Sequence, residues 1–123
     1  MNKSKITIWG REFNLNICYD CYPGETILQG QKEAAEKFLS AIDAVEESKD
    51  EIEKYVLMSK EINMLTVDNI FKYVMPKNIY VPRNLKKRVV AIMCNYKFDT
   101  EHGIAVVFEN EQFKEIGAQD IAL

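Results

Sequence analysis

The sequence predicts a single α+β domain over residues 1–123: an N-terminal β-hairpin, a central group of about three helices and a C-terminal antiparallel β-meander, joining one sheet. Three observations predict it. Polar and apolar residues alternate at the start, apolar residues recur at helical spacing through the middle, and short apolar runs broken by turn residues fill the last third. Strands, then helices, then strands is the order of an α+β chain and not of an alternating α/β chain. With 47% hydrophobic and 28% charged residues, and six Phe, six Tyr and one Trp, the chain has ordinary globular composition. A chain of 123 residues can build its core without a disulfide or a metal.

Residues 5–9 (Lys-Ile-Thr-Ile-Trp) and 12–17 (Glu-Phe-Asn-Leu-Asn-Ile) alternate, with Gly10-Arg11 between them. This is a hairpin signal, with Ile6, Ile8, Phe13, Leu15 and Ile17 facing inward. Tyr22-Pro23-Gly24 reads as a turn. Thr26 with Gln29 fits a capping box ahead of Ile27, Ala34, Ala35, Phe38, Leu39 and Ile42. Ser48 with Glu51 fits a second box, ahead of Ile52, Tyr55 and Val56 and reaching towards Lys60. Thr66 then caps a third helix carrying Val67, Ile70, Phe71 and Val74, with a Leu65–Ile70 staple, and Pro76 ends it. Ile79-Tyr80-Val81, stopped by Pro82, reads as an edge strand. Strands follow at 88–98, 103–109 and 113–116, with turns at 99–103 and at Asn110-Glu111. The continuous apolar run Val89–Cys94 marks a central strand covered on both faces.

Composition narrows the function. No run approaches the ~18 apolar residues of a membrane span, and Met1-Asn2-Lys3-Ser4-Lys5 precedes no stretch of signal-peptide type. The expectation is a soluble cytoplasmic protein with no membrane partner. Three cysteines then read as reduced thiols. A formal charge of −3 gives no electrostatic basis for nucleic-acid binding. No phosphate loop, nucleophile elbow or H-E-x-x-H motif is present.

Four clusters carry candidate chemistry. Cys18-Tyr19-Asp20-Cys21 has the spacing of a redox dithiol or half a zinc site, but Pro23-Gly24 separates it from a helix start. Only Cys94 and His102 remain as further soft ligands, so the expectation is no metal and no cofactor. Asp99-x-Glu101-His102-Gly103 holds the single histidine. It reads as a structural turn, a binding surface at the 96–102 hairpin mouth, or a proton-transfer or cation site joined by Asp120. The stretch from Asp43 to Glu53 holds Asp43, Glu46, Glu47, Asp50, Glu51 and Glu53 against one lysine. That is a solvated helical surface or a face that docks a basic partner. Arg83, Lys86, Lys87 and Arg88 read as edge-strand charges that prevent sheet-to-sheet pairing.

The stretch from Phe98 to Phe108, followed by Ile116-Gly117-Ala118-Gln119-Asp120, carries a resemblance, together with Trp9 and Phe13. It resembles a family of small bacterial proteins known as a domain of unknown function. Its marks are an aromatic-Asp-x-Glu-His-Gly turn and a terminal Ile-Gly-x-x-Asp. The resemblance covers mainly the closing 23 residues and transfers Trp9, Asp99, Glu101, His102, Gly103, Gly117 and Asp120. Families of this kind are often associated with immunity to delivered toxins. What it implies is a protein that binds and neutralises a cognate toxin domain without catalysis.

The expected function is therefore protein binding of the immunity type, with a basic toxin domain as partner. The expected partner-binding residues are Asp43, Glu46, Glu47, Asp50, Glu51, Glu53, Tyr96, Asp99, Glu101 and His102, and no catalytic residue is assigned. The alternatives are a small enzyme or metal module centred on Asp99, Glu101 and His102, and a ligand-binding domain. The oligomeric state is not legible in the sequence.

Overall fold

The computed structural model describes residues 3–21, 24–58, 69–83 and 86–122, except for the side chains of Ile42 and Asp120. A six-stranded mixed sheet dominates, with strands in sequential order. They are β1 (Lys3–Ile8), β2 (Arg11–Tyr19), β3 (Val74–Val81), β4 (Val89–Tyr96), β5 (Ile104–Glu109) and β6 (Gln112–Gly117). All neighbours are antiparallel except β2 and β3, which run parallel. A parallel pair needs a crossover, and here it contains α1 (Gln29–Ser40), α2 (Ile42–Glu47) and α3 (Lys49–Leu57).

The expected central group of about three helices is not seen among the described residues. Among the described residues, the crossover holds two helical arms, α1 and a second arm in which α2 and α3 run together through Ser48. Ser48 keeps helical backbone angles (φ −69°, ψ −15°), its N–H bonds back to Ala44 O and Val45 O, and its carbonyl accepts from Ile52 N. It caps nothing. Its hydroxyl donates to Val45 O and accepts from Trp9 Nε1. Of the third expected helix, Thr66, Val67 and Leu65 lie outside the described residues, as does Lys60. Ile70–Lys72 is a single 3-10 turn (η1), capped by Asn69, whose side chain accepts from Phe71 N at 3.1 Å. Val74 and Pro76 belong to β3. The apolar spacing there fits a helix locally, but pairing with β4 satisfies more backbone groups than one helical turn would. Pro76 is tolerated because the β3–β4 register shifts between Pro76 and Asn78, a bulge that accommodates its missing N–H. β3 is thus an interior strand, flanked by β2 and β4, and not the expected edge strand.

The hairpin turn is Trp9-Gly10, one residue earlier than the sequence suggests. Both residues have positive φ (51° and 82°), the backbone of a type I′ turn. A bulky residue with positive φ is strained, and burial of the indole offsets the strain: Trp9 is 3% exposed. Asn110-Glu111 repeats the device at the β5–β6 turn, with φ of 50° and 65°.

α1 starts at Gln29 with Leu28 as its cap, so the expected Thr26 box is not used. The cap partner is Gln31, which is 2% exposed. Its carbonyl oxygen accepts from Leu28 N at 2.9 Å, and its amide donates to Asp20 O and Val81 O. One buried side chain therefore ties the start of α1 to the ends of both parallel strands.

The main core lies between the helices and one face of the sheet. Ala34, Ala35, Phe38, Val45, Ile52 and Val56 meet Ile6, Ile8, Leu15, Ile79, Ile92, Val106 and Phe108. The other face carries a smaller cluster of Ala91, Met93, Ala105 and Val107, joined by Ala122 of a C-terminal 3-10 turn (η2, Gln119–Ala122). β4 is buried on both faces as its apolar run predicts, with Val90 to Cys94 at 7% exposure or less. No helix among the described residues is long and apolar enough to cross a membrane.

Removing the hydroxyl of Ser48 leaves the buried Trp9 N–H without its acceptor. Ser48→Ala should therefore lower unfolding free energy by about 1–3 kcal/mol, read by urea denaturation. A change within error would show that this bond does not hold the hairpin to the helical arm.

Candidate functional site

The parallel alignment of β2 with β3 and the antiparallel pairing of β3 with β4 bring three features to one end of the sheet. These are the Trp9-Gly10 turn, η1 and the turn leaving β4. Aromatic side chains gather there in two groups. Phe71 contacts Trp9 (6.0 Å between ring centroids) and Phe13 (5.6 Å), and the Arg11 guanidinium lies 5.2 Å from the Phe71 ring. Tyr73 stacks on Phe98 at 5.7 Å, Phe98 meets Tyr96 edge-on at 5.6 Å, and Tyr96 meets Tyr55 of α3 at 5.7 Å. Lys97 extends its ammonium over Tyr73.

Two clefts flank the second group. One, of about 350 Å³, is lined by Tyr55, Met58, Tyr96, Phe98 and Asp99. The other, of about 210 Å³, is lined by Phe71, Tyr73, Met75, Tyr96 and Lys97 among others. Met58 is 82% exposed and Met75 36%, two of the large apolar side chains left open to solvent. The acidic helical surface lies on the same arm as Tyr55 and Met58. Of its residues Asp43, Glu47, Asp50 and Glu51 are exposed, while Glu53 is half-buried. Glu46 is engaged in the fold: its carboxylate accepts from Gly10 N at 2.9 Å.

The turn after β4 is built on Asp99. Its Oδ1 accepts from His102 N at 3.1 Å, the His102 Nδ1 lies 3.1 and 3.2 Å from its two oxygens, and its carbonyl accepts from Gly103 N. The hydrogen bond from the His102 backbone, followed by that from its ring, holds the Asp99 carboxyl below the usual carboxylate range. Glu101 and His102 point to solvent. Among the described residues, no group of three or more metal-ligating side chains comes together. The side chain of Asp120 lies outside the described residues.

The two glycines of the C-terminal motifs have steric reasons. Gly103 has φ of +62°, and a Cβ there would stand 2.5 Å from Cys94 O and 2.6 Å from Gln119 Nε2. Gln119 donates to that same carbonyl at 3.1 Å, so the bare backbone of Gly103 admits the bond that docks η2. A Cβ on Gly117 would press on Ile121 at 3.3 Å.

The remaining clusters have structural explanations. Arg83 pairs with Glu25, Lys87 with Glu109, and Arg88 forms a two-pronged pair with Glu111 at 2.7 and 3.0 Å. Arg83, Lys87 and Arg88 are thus each matched by a neighbouring glutamate, and the cluster flanks interior strands. Cys18 accepts from Asn78 Nδ2, Cys21 donates to Glu25 O, and no disulfide joins them. Burial pushes the Cys94 thiol far up, which leaves it an inert core group. A third cavity, about 480 Å³, lies between the end of β2 and α1, lined by Ile17, Tyr19, Ala35, Glu36 and Leu39 among others. Burial and then the charge of Glu36 raise the Tyr19 phenol there.

Of the ten expected binding residues, the structure brings Tyr96 and Asp99 into one cleft. It leaves Glu101 and His102 on the adjoining turn and the acidic residues on the helical arm. Tyr55, Met58, Phe98, Tyr73 and Met75 were not among those expectations. The density of aromatic residues around 96–98 was a signal for them, but their exposure depends on what packs above.

Two outcomes check this account of the turn. Gly103→Ala should cost about 2 kcal/mol or more in unfolding free energy, since it forces a positive φ and displaces Gln119; wild-type stability would refute the steric role. Asp99 is lowered in the folded state, so its contribution is present above about pH 4, the unfolded value, and is lost as pH falls through the folded one. Asp99→Asn should therefore be less stable than wild type near pH 7, with the gap closing under acid, as read by denaturation at several pH values.

Comparison with curated proteins and with solved structures finds no match. Residues 2–123 match the family described as a domain of unknown function, DUF6985, and the chain therefore belongs to that family.

Proposed function

We propose that this protein works by binding another protein through the end of the sheet where α3 meets the turn after β4. In its sharpest form it is an immunity protein that binds and neutralises a cognate bacterial toxin domain. One observation carries the reading. Met58 and Met75 stand open to solvent beside the ring cluster of Tyr55, Tyr73, Tyr96 and Phe98. Tyr96 is buried and the other three rings are half-buried, so the two exposed methionines border an aromatic floor. Methionine and aromatic side chains grouped in one place are the composition of an interface centre. Methionine adapts its shape to a partner. Asp43, Glu47, Asp50 and Glu51 supply a charged rim, which favours a basic partner and speeds its approach. Glu46 adjoins that rim with one carboxylate oxygen held by Gly10 N. The resemblance of the C-terminal motifs to immunity-associated proteins supports the toxin as the class of partner.

Capture of the tagged protein from its own cells should yield a one-to-one, salt-sensitive complex with a toxin domain whose activity it blocks. Met58→Lys, which places a like charge against a basic partner, should weaken that complex by about 10-fold or more. The triple change Asp43→Lys, Glu47→Lys and Asp50→Lys should slow its formation, as read by surface plasmon resonance. Unchanged affinity in the folded Met58→Lys variant would place the interface elsewhere.

A further inference from the structure

We propose that the cleft formed by Tyr55, Met58, Tyr96, Phe98 and Asp99 receives the guanidinium group of an arginine presented by the protein partner. This inference rests on the protein-binding reading above and names the group that enters its centre.

The walls are aromatic and set at angles to one another. Phe98 and Tyr96 stand nearly perpendicular (89°) at 5.6 Å, and Tyr55 is tilted by 52° from Tyr96 at 5.7 Å. The cleft measures about 350 Å³ and opens to solvent beside Met58. Aromatic rings attract a cation that reaches their faces. Asp99 adds a carboxylate to the lining, while the described lining residues include no lysine or arginine. The neighbouring rings differ. Arg11 lies over Phe13 and Phe71, and Lys97 over Tyr73, so this end of the protein already supplies cations of its own to those faces.

Asp99 keeps capacity for an outside donor. Its oxygens receive the His102 N–H and face the His102 ring, and its side chain is still 39% exposed. A carboxylate has about four acceptor sites, so a further donor fits. The hydrogen bonds from His102 also favour its ionised form. Arginine suits the site better than lysine. Its planar head stacks on a ring while its fork of N–H groups reaches a carboxylate, and a compact ammonium cannot do both.

The test uses the full chain and three small probes: N-acetyl-arginine N-methylamide, its lysine counterpart and its citrulline counterpart. Citrulline has the shape of arginine without the charge. Aromatic carbon–proton NMR spectra should show saturable shifts at Tyr55, Tyr96 and Phe98 with the arginine probe, with Kd on the order of millimolar. Lysine and citrulline should bind at least about fivefold more weakly. Asp99→Asn, which keeps an oxygen for the His102 N–H, should weaken arginine by about tenfold. Phe98→Leu, which keeps an apolar side chain against Tyr73, should weaken it by about fivefold. Equal binding of citrulline or lysine would overturn the inference, as would shifts that fail to saturate by about 50 mM or ignore both substitutions. If arginine fails in this way while Met58→Lys still weakens the protein complex, the interface stands and its arginine anchor is wrong.

Discussion

The hydrogen bond from the Trp9 indole to the Ser48 hydroxyl is the point at which the two halves of the fold meet. Trp9 sits in a strained left-handed turn and Ser48 lies in the middle of a helical arm, and both are buried. A buried indole N–H needs an acceptor, and a buried hydroxyl needs a partner for its own proton. Each residue meets the other's requirement, with Ser48 passing its proton to Val45 O. Beside them Glu46 takes the N–H of Gly10. Hairpin and helical arm are thus fixed to each other at two adjacent points. The course of that arm decides where α3 ends, and with it where Tyr55 and Met58 stand relative to Tyr96 and Phe98.

A second constraint acts at the opposite end of the sheet. β2 and β3 run parallel, and parallel neighbours cannot be joined by a tight turn. The crossover has to begin where β2 ends, and Gln31 secures that place with one bond to Leu28 and two to the strand ends. With the start of the crossover anchored there, β3 lies inside the sheet and its proline sits at a bulge. The aromatic end and the anchored end have different consequences. The anchored end is closed by bonds to the backbone, and the aromatic end leaves methionines facing solvent beside rings that are buried or half-buried.

The C-terminal motifs divide between fold and surface in the same way. Gly103 and Gly117 make room for η2, which covers the second face of the sheet through Ala122. Asp99 serves both purposes. It closes its own turn through His102, and its remaining exposed surface borders the cleft. The paired arginines and lysines around 83–88 belong to the fold, since each identified pairing is with a glutamate near the same turns.

By itself the sequence determined the elements whose local pattern has one solution. Alternation marked β1 and β2, the apolar run marked β4 as buried on both faces, and Asn110-Glu111 marked the last turn. The hairpin, the meander and their union in one sheet were legible for that reason. The sequence also pointed to the Tyr96–His102 mouth, because a turn dense in Asp, Glu, His and Gly stands out locally. Tertiary structure decided what several local patterns left open. Ser48-x-x-Glu51 has the form of a cap, yet Trp9, 39 residues away along the chain, claims its hydroxyl and the helix runs through. Val74 fits a helical period equally well until β4 offers it a strand partner. The cleft depended on tertiary structure most of all. Whether Tyr55, Met58 and Phe98 face water or core follows from how a helix end crosses a sheet end, and no single segment contains that information.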